Sequence, residues 1–162
     1  MKTNMKAVRS GLAGMATFFF LAASALAQEP VVKDAWVRLL PKEAGALAAY
    51  MEIKNPGKSP LVLKEAQSPD FSKVELHKTV VEKGIAKMIP VQSFTIPPQG
   101  HLEFKPGGKH IMLIGPKKTF AEGDTTPITL IWEGKENAPL RLEVPLRAQR
   151  GDEGKKHHGH GS

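Results

Sequence analysis

Two histidines and two methionines of this chain are of the residue types that bind soft metals. They follow the pattern H-x10-M-x21-H-x-M, and they are His77, Met88, His110 and Met112. Cu(I) is a soft cation that accepts imidazole nitrogen and thioether sulfur as ligands. Because neutral imidazole and thioether carry no charge, such a site stays cationic overall and favours Cu(I) over Cu(II). The sequence therefore predicts one Cu(I) site built from these four side chains.

Two other metal chemistries fit this set less well. Zinc prefers thiolate, imidazole and carboxylate ligands to thioether, so two methionines argue against zinc. A blue-copper electron carrier needs a cysteine thiolate, and the chain has no cysteine. The same absence excludes thiol catalysis and a lipid attached to a cysteine at a signal junction.

The four residues can meet only if β-strands bring them together. In "HIMLIG", His110 and Met112 point to the same side of a predicted strand, with Cα atoms roughly 6.6 Å apart at about 3.3 Å per residue. A Gly-Gly pair precedes this strand, which places the two ligands near the rim of the fold. We expect His77 to end its own strand, "KVELH", and Met88 to approach from a neighbouring strand or hairpin.

The rest of the chain consists of short strand patterns separated by turns. Ten apolar or alternating segments, from "DAWVRLL" at residue 34 to "LRLEVPLR" at residue 140, are interrupted mostly by Pro- and Gly-containing turns. Short strands that recur about every 8–12 residues, with turns between most of them, are typical of an antiparallel sandwich or barrel. We predict an all-β Greek-key sandwich or barrel that forms a single domain over residues 28–148.

The N-terminus has the three parts of a secretory signal peptide. Lys2, Lys6 and Arg9 precede an uncharged apolar run that ends in Ala25-Leu26-Ala27. We expect residues 1–27 to be removed on export, and an uncleaved N-terminal anchor is the alternative. No second apolar run is long enough to span a bilayer. The mature protein is therefore expected to be exported, with no stable membrane span.

The last fourteen residues, 149–162, lack apolar side chains and are expected to form a disordered tail. This tail contains His157, His158 and His160, which could capture Cu(II) or zinc as an auxiliary site. A merely solvated tail, or residues added for expression, is the alternative. The formal charge of +7 falls to +4 without residues 1–27. No basic stripe with interleaved aromatic residues indicates nucleic-acid binding.

The ligand spacing and the text around it resemble the periplasmic copper chaperone family called PCuAC. Similar segments include "DAWVR", "AAYMEIKN", "VELH", "IPPQG" and "KPGGKHIMLIG", and the likeness covers residues 31–147. The resemblance implies a cupredoxin-like fold, a periplasmic location and delivery of copper to the copper A centre of cytochrome c oxidase, alongside a thioredoxin-like assembly factor. Some members carry a His/Met-rich C-terminal extension similar to this tail. Members often have further methionines near the motif, and these are missing here.

Three other functions stay open at this point: copper storage or detoxification, a β-sandwich interaction module whose histidines and methionines are structural, and a copper enzyme that uses oxygen. The enzyme is the weakest because the sequence offers no catalytic triad, phosphate loop or carboxylate pair, so we expect a protein that is not an enzyme. Outside the pattern, strand alternation predicts a core position for Met51, and the turn before His101 predicts a surface position. Trp36 and Trp132 are predicted to pack in the core.

Overall fold

The computed structural model describes residues 29–148, which form an all-β sandwich. The predicted signal segment and the predicted tail lie outside these residues. Within residues 29–148, no helix is long and apolar enough to cross a membrane. The described elements are β1 (Val31–Leu39), a 3-10 helix (Lys42–Ala44), β2 (Ala46–Lys54), β3 (Leu61–Gln67), β4 (Phe71–Glu82), β5 (Ile85–Pro90), β6 (Phe94–Ile96), β7 (His101–Phe104), β8 (Lys109–Pro116), β9 (Thr125–Trp132) and β10 (Leu140–Ala148).

The strands form one hydrogen-bonded path that makes both layers of the sandwich. Its order is β5-β4-β8-β2-β1-β10-β9-β3-β6, and β7 pairs with β2 beside β8. The β1–β10 pairing is parallel and links the two layers, whereas the pairings within each layer are antiparallel. The all-β sandwich predicted from the sequence is confirmed.

The core lies between the layers and takes largely alternating residues from every described strand except β5. On β2, Leu47, Met51 and Ile53 are buried in the core cluster, which confirms the prediction for Met51. Trp132 is also buried there, and His101 is exposed as predicted. The prediction for Trp36 is wrong.

Trp36 is half-buried and lies outside the core cluster. Its ring packs on Tyr50, with ring centroids 4.9 Å apart. Trp36 faces away from the core because its pair with Tyr50 lies one position along β1 and β2 from the core pair Val37 and Ala49, and successive residues of a strand point to opposite faces.

Strand β4 continues beyond His77, so the prediction that His77 ends its strand is wrong. The β-branched residues Thr79, Val80 and Val81 favour extension of the strand. The chain then reverses at Lys83-Gly84, whose φ angles of 51° and 77° are both positive, as a type I′ hairpin turn requires. The resulting β4–β5 hairpin ends the sheet, because β5 pairs only with β4 among the described strands.

Candidate metal centre

The four predicted ligands lie on one face of the β5-β4-β8 sheet. His77 on β4 is directly opposite His110 on β8, and Met88 on β5 is directly opposite Thr79 on β4. Residues that face each other across neighbouring strands point to the same side of a sheet, as do alternate residues along one strand. This side faces away from the core, because the intervening residues Leu76 and Ile111 belong to the core cluster.

The two histidines form a close, buried pair. Their ring centroids are 5.5 Å apart with the planes tilted by 53°, and the residues are 7% and 3% exposed. Two imidazoles that bind one ion through metal–nitrogen bonds of about 2.0–2.1 Å have ring centres roughly 5–6 Å apart. The spacing of His77 and His110 therefore fits a shared ion. Both rings are covered by surrounding protein and are not exposed to solvent at the rim of the sandwich.

A backbone carbonyl orients the ring of His110. Its Nδ1 lies 3.2 Å from the carbonyl oxygen of Gly108, which also accepts a hydrogen bond from the Thr79 amide at 3.1 Å. A carbonyl can only accept, so Nδ1 carries the hydrogen and Nε2 keeps a free lone pair. Burial lowers the pKa of His110 below its ordinary value, which keeps the ring neutral as a metal ligand requires.

A turn holds this carbonyl in place. The amide of Gly108 donates to the carbonyl of Lys105, and the intervening Gly107 has a φ of 75°, which favours glycine. The Gly-Gly pair of the sequence therefore builds the turn between β7 and β8 that delivers an acceptor to His110.

A carboxylate orients the ring of His77. Its Nε2 lies 3.0 Å from Oε2 of Glu75, and the other carboxylate oxygen is 2.6 Å from Nζ of Lys73. Hydrogen bonds from Lys73 and then from His77 lower the pKa of the Glu75 carboxyl, so it is ionised near neutral pH and only accepts. The hydrogen of His77 is therefore on Nε2, and Nδ1 keeps a free lone pair.

The two free ring nitrogens are the clearest mark of a ligand site. His77 Nδ1 and His110 Nε2 are both buried and have no hydrogen-bond partner among the described residues. A buried polar atom without a partner costs about 1–3 kcal/mol. A metal ion bound to both nitrogens would remove that cost. The described residues contain no group of three or more His, Cys, Asp or Glu able to hold a metal.

The methionines supply sulfur near the pair, at unequal positions. Met112 is half-buried, two residues from His110 on the same strand, and faces Glu75. Met88 is 60% exposed on the edge strand. The two methionines lie two strands and four register steps apart, so their Cα atoms are roughly 16 Å apart in a flat sheet. The structure brings the histidines together, holds Met112 beside them and leaves Met88 at the edge.

Comparison with known proteins assigns the chain to a family. Residues 31–145 match the family model for LpqE-like lipoproteins. The chain belongs to the LpqE-like family. This LpqE-like protein is 31% identical over 146 residues to Lxx21020 of Leifsonia xyli subsp. xyli, named as a lipoprotein, and the match covers 88% of this chain and 87% of that protein.

The LpqE-like chain also has the fold of solved copper-binding domains. It is similar to the Cu(I) form of DR1885 from Deinococcus radiodurans, with 29% identity, a TM-score of 0.60 and coverage of 79% of this chain and 85% of the other. It is similar in fold to the copper-bound PCuAC domain from PmoF2, with 20% identity, a TM-score of 0.62 and coverage of 75% and 95%. The fold is therefore that of PCuAC domains.

Two groups of this candidate metal centre were not predicted from the sequence: the side chain of Glu75 and the carbonyl of Gly108. Strand alternation could have found Glu75, because it lies two residues before His77 and so shares its side of β4. The carbonyl left no sequence signal beyond the turn that contains it. The tail histidines lie outside the described residues.

Proposed function

We propose that this LpqE-like protein is a Cu(I)-binding chaperone of the periplasm that delivers copper to a cuproenzyme. The observation that carries the proposal is the pair of buried ring nitrogens, His77 Nδ1 and His110 Nε2, each left free by an acceptor fixed to the opposite nitrogen of its ring. Acceptors of this kind select the tautomer of histidine ligands in metal sites.

In the proposed site, His77 and His110 supply nitrogen ligands, and Met112 and Met88 supply sulfur ligands. The set carries no charge, so it suits a monovalent soft ion, and Cu(I) is such an ion. Met112 lies beside the histidines, so it completes the buried part of the site. Met88 is exposed on the edge strand, where an incoming protein's ligand could replace it. Transfer by ligand exchange needs one accessible ligand of this kind.

The proposed recipient is the copper A centre of cytochrome c oxidase, with a thioredoxin-like assembly factor as a further partner. Support for copper handling comes from the copper forms of DR1885 and PmoF2, which have the same fold. Support for export comes from the lipoprotein description of the family and from the signal-like residues 1–27. The proposal includes no reaction on a substrate.

Anaerobic titration tests the binding step. The mature protein is titrated with Cu(I) against a chromogenic Cu(I) chelator, and the proposal predicts one tightly held ion per chain. Absence of stoichiometric binding would contradict the proposal and favour an interaction module whose histidines are structural.

A transfer assay tests delivery. The Cu(I) protein is mixed anaerobically with the apo copper A domain of an oxidase, the two proteins are separated, and the copper content of each is measured. The proposal predicts transfer of copper to the domain. Copper that binds but stays on the chain would instead indicate storage or detoxification.

A further inference from the structure

Glu75 makes a contact that bears directly on the proposed copper site. Its carboxylate oxygen Oε2 accepts a hydrogen bond from Nε2 of His77 at 3.0 Å, and its side chain is 25% exposed. Its other oxygen pairs with Nζ of Lys73 at 2.6 Å, so both oxygens are engaged. In the β4–β8 register, Glu75 lies directly opposite Met112. The carboxylate thus lies on the same face as the proposed ligands, between a lysine and a histidine.

The contact decides which nitrogen of His77 is free. A neutral imidazole has one N–H donor and one acceptor, and an ionised carboxylate can only accept. The hydrogen is therefore drawn to Nε2, and the buried, unpartnered Nδ1 is left as the possible ligand. In water the two tautomers interconvert freely, so a ring without this acceptor would present the wrong nitrogen for part of the time.

We infer that Glu75 is a positioning residue that fixes His77 in the Nε2–H tautomer and so directs Nδ1 toward copper. The inference rests on the proposed Cu(I) site and adds a residue to it. The carboxylate also places a negative charge beside the imidazole, as acceptors that orient histidine ligands often do. Lys73 holds the other oxygen and limits rotation of the carboxylate about its side-chain bonds.

The two histidines differ in how this orientation is achieved. His110 depends on the Gly108 carbonyl, which no side-chain substitution removes. His77 depends on a side chain, so its orientation can be tested by mutation. Glu103 on β7 offers a matched control, because it pairs with Lys105 at 2.7 Å across the same two-residue spacing and has no hydrogen bond to a histidine among the described residues.

The test compares the wild type with Glu75→Ala, Glu75→Gln and Glu103→Ala. Long-range proton–nitrogen NMR spectra of the copper-free proteins report which ring nitrogen of His77 carries the hydrogen. We expect the Nε2–H tautomer in the wild type and in Glu103→Ala, and a tautomer mixture in Glu75→Ala. Glu75→Gln should keep much of the wild-type tautomer, because its amide oxygen can still accept the hydrogen bond.

Cu(I) affinity, measured by chelator competition, is the second readout. Loss of an orienting partner costs about 10–100-fold in metal affinity, so Glu75→Ala should bind Cu(I) more weakly by that factor. Glu75→Gln should fall between it and the wild type, and Glu103→Ala should match the wild type. Backbone amide spectra confirm that each variant keeps the fold, since a partly exposed β4 side chain is not required for core packing.

The outcomes separate this inference from the proposed function. If the wild type binds one Cu(I) and Glu75→Ala keeps the wild-type tautomer and affinity, the inference is overturned and the proposed function stands. If the wild type binds no Cu(I), both are overturned. An equal loss of affinity in Glu103→Ala would also overturn the inference, because the effect would then come from a general loss of negative charge.

Discussion

The two ends of the proposed ligand set differ in almost every physical respect. The histidine end lies on β4 and β8, inside the sheet, with rings that are buried and hydrogen-bonded to fixed acceptors. The Met88 end lies on the β4–β5 hairpin at the end of the sheet, where Val81, Ile85 and Met88 are 70%, 63% and 60% exposed. The first end has its geometry built in before an ion arrives. The second has little packing to hold it.

This contrast matches the two demands on a metal carrier. Binding requires ligands that are already oriented, because ordering them afterwards costs free energy. Release requires at least one ligand that a recipient can reach. We interpret the buried histidines, with Met112 beside them, as the binding part of the site and the exposed Met88 as the exchange part.

Removing either histidine should have the largest effect and would break the binding part. His77→Ala and His110→Ala should each lower Cu(I) affinity by more than about 100-fold, which exceeds the 10–100-fold typical of a supporting partner. Chelator competition under anaerobic conditions measures the change. His101→Ala is the control. His101 is exposed and is not one of the four predicted ligands, so its removal should leave Cu(I) affinity unchanged. Equal affinities for all three variants would remove the histidine pair from the site.

Removing one sulfur should have a smaller effect. Met88→Leu and Met112→Leu keep an apolar side chain but lose the thioether, and each should lower affinity on the order of tenfold, or about 1.4 kcal/mol. Met51→Leu, in the core, should not change affinity. Because Met88 is exposed, Met88→Leu should shift the free energy of unfolding by less than about 0.5 kcal/mol. Unchanged copper affinity in Met88→Leu would restrict the site to the buried ligands.

Copper should change the mobility of the two regions unequally. Met88 and Met112 can share an ion only if the β4–β5 hairpin bends or the sheet curves, since their Cα atoms lie roughly 16 Å apart in a flat sheet. We expect Cu(I) to slow hydrogen exchange at amides of Ile85–Pro90 severalfold and to leave those of the core strand β8 nearly unchanged. Mass-spectrometric exchange with and without Cu(I) measures this. No protection in the hairpin would mean that Met88 stays free when copper is bound.

Acid should slightly lower the free energy of unfolding of the copper-free protein, because the buried His110 resists protonation. The pKa of His110 is lowered mainly by burial, so the folded state resists protonation that the unfolded state accepts. The contribution of His110 to the free energy of unfolding is fully present above the ordinary histidine pKa of 6.5. It decreases as the pH drops below that value toward the lowered pKa of the folded state. Between pH 7.5 and 5, the free energy of unfolding measured with urea should decrease less in His110→Gln than in the wild type. A larger loss in the variant would mean that the ring is charged when folded.

Much of the fold could be predicted because its signals are local. Alternating apolar residues and Pro/Gly turns located all ten described strands, and alternation put Met51 in the core. The end of β4 was misplaced because a strand can continue through exposed β-branched residues when a neighbour pairs with it, as β5 does here. Trp36 was misassigned because residue type alone does not say which face of β1 meets the core.

The site was predictable only in part. Spacing and residue type selected His77 and His110, but their direct pairing in register depends on how β4 and β8 align, which neither strand encodes alone. The free nitrogens depend on Glu75 and on a carbonyl in a turn, and those contacts exist only in the folded chain. Strand patterns also gave no distance between Met88 and the buried ligands.

X-ray absorption at the copper edge tests the central claim most directly, because it counts the atoms bound to the ion. The Cu(I) form of the wild type should show both nitrogen and sulfur neighbours, with fewer nitrogens in His77→Ala and His110→Ala and less sulfur in Met112→Leu and Met88→Leu. A wild-type spectrum without sulfur, or one that none of these four substitutions alters, would contradict a copper site built from paired histidines and thioethers on this sheet.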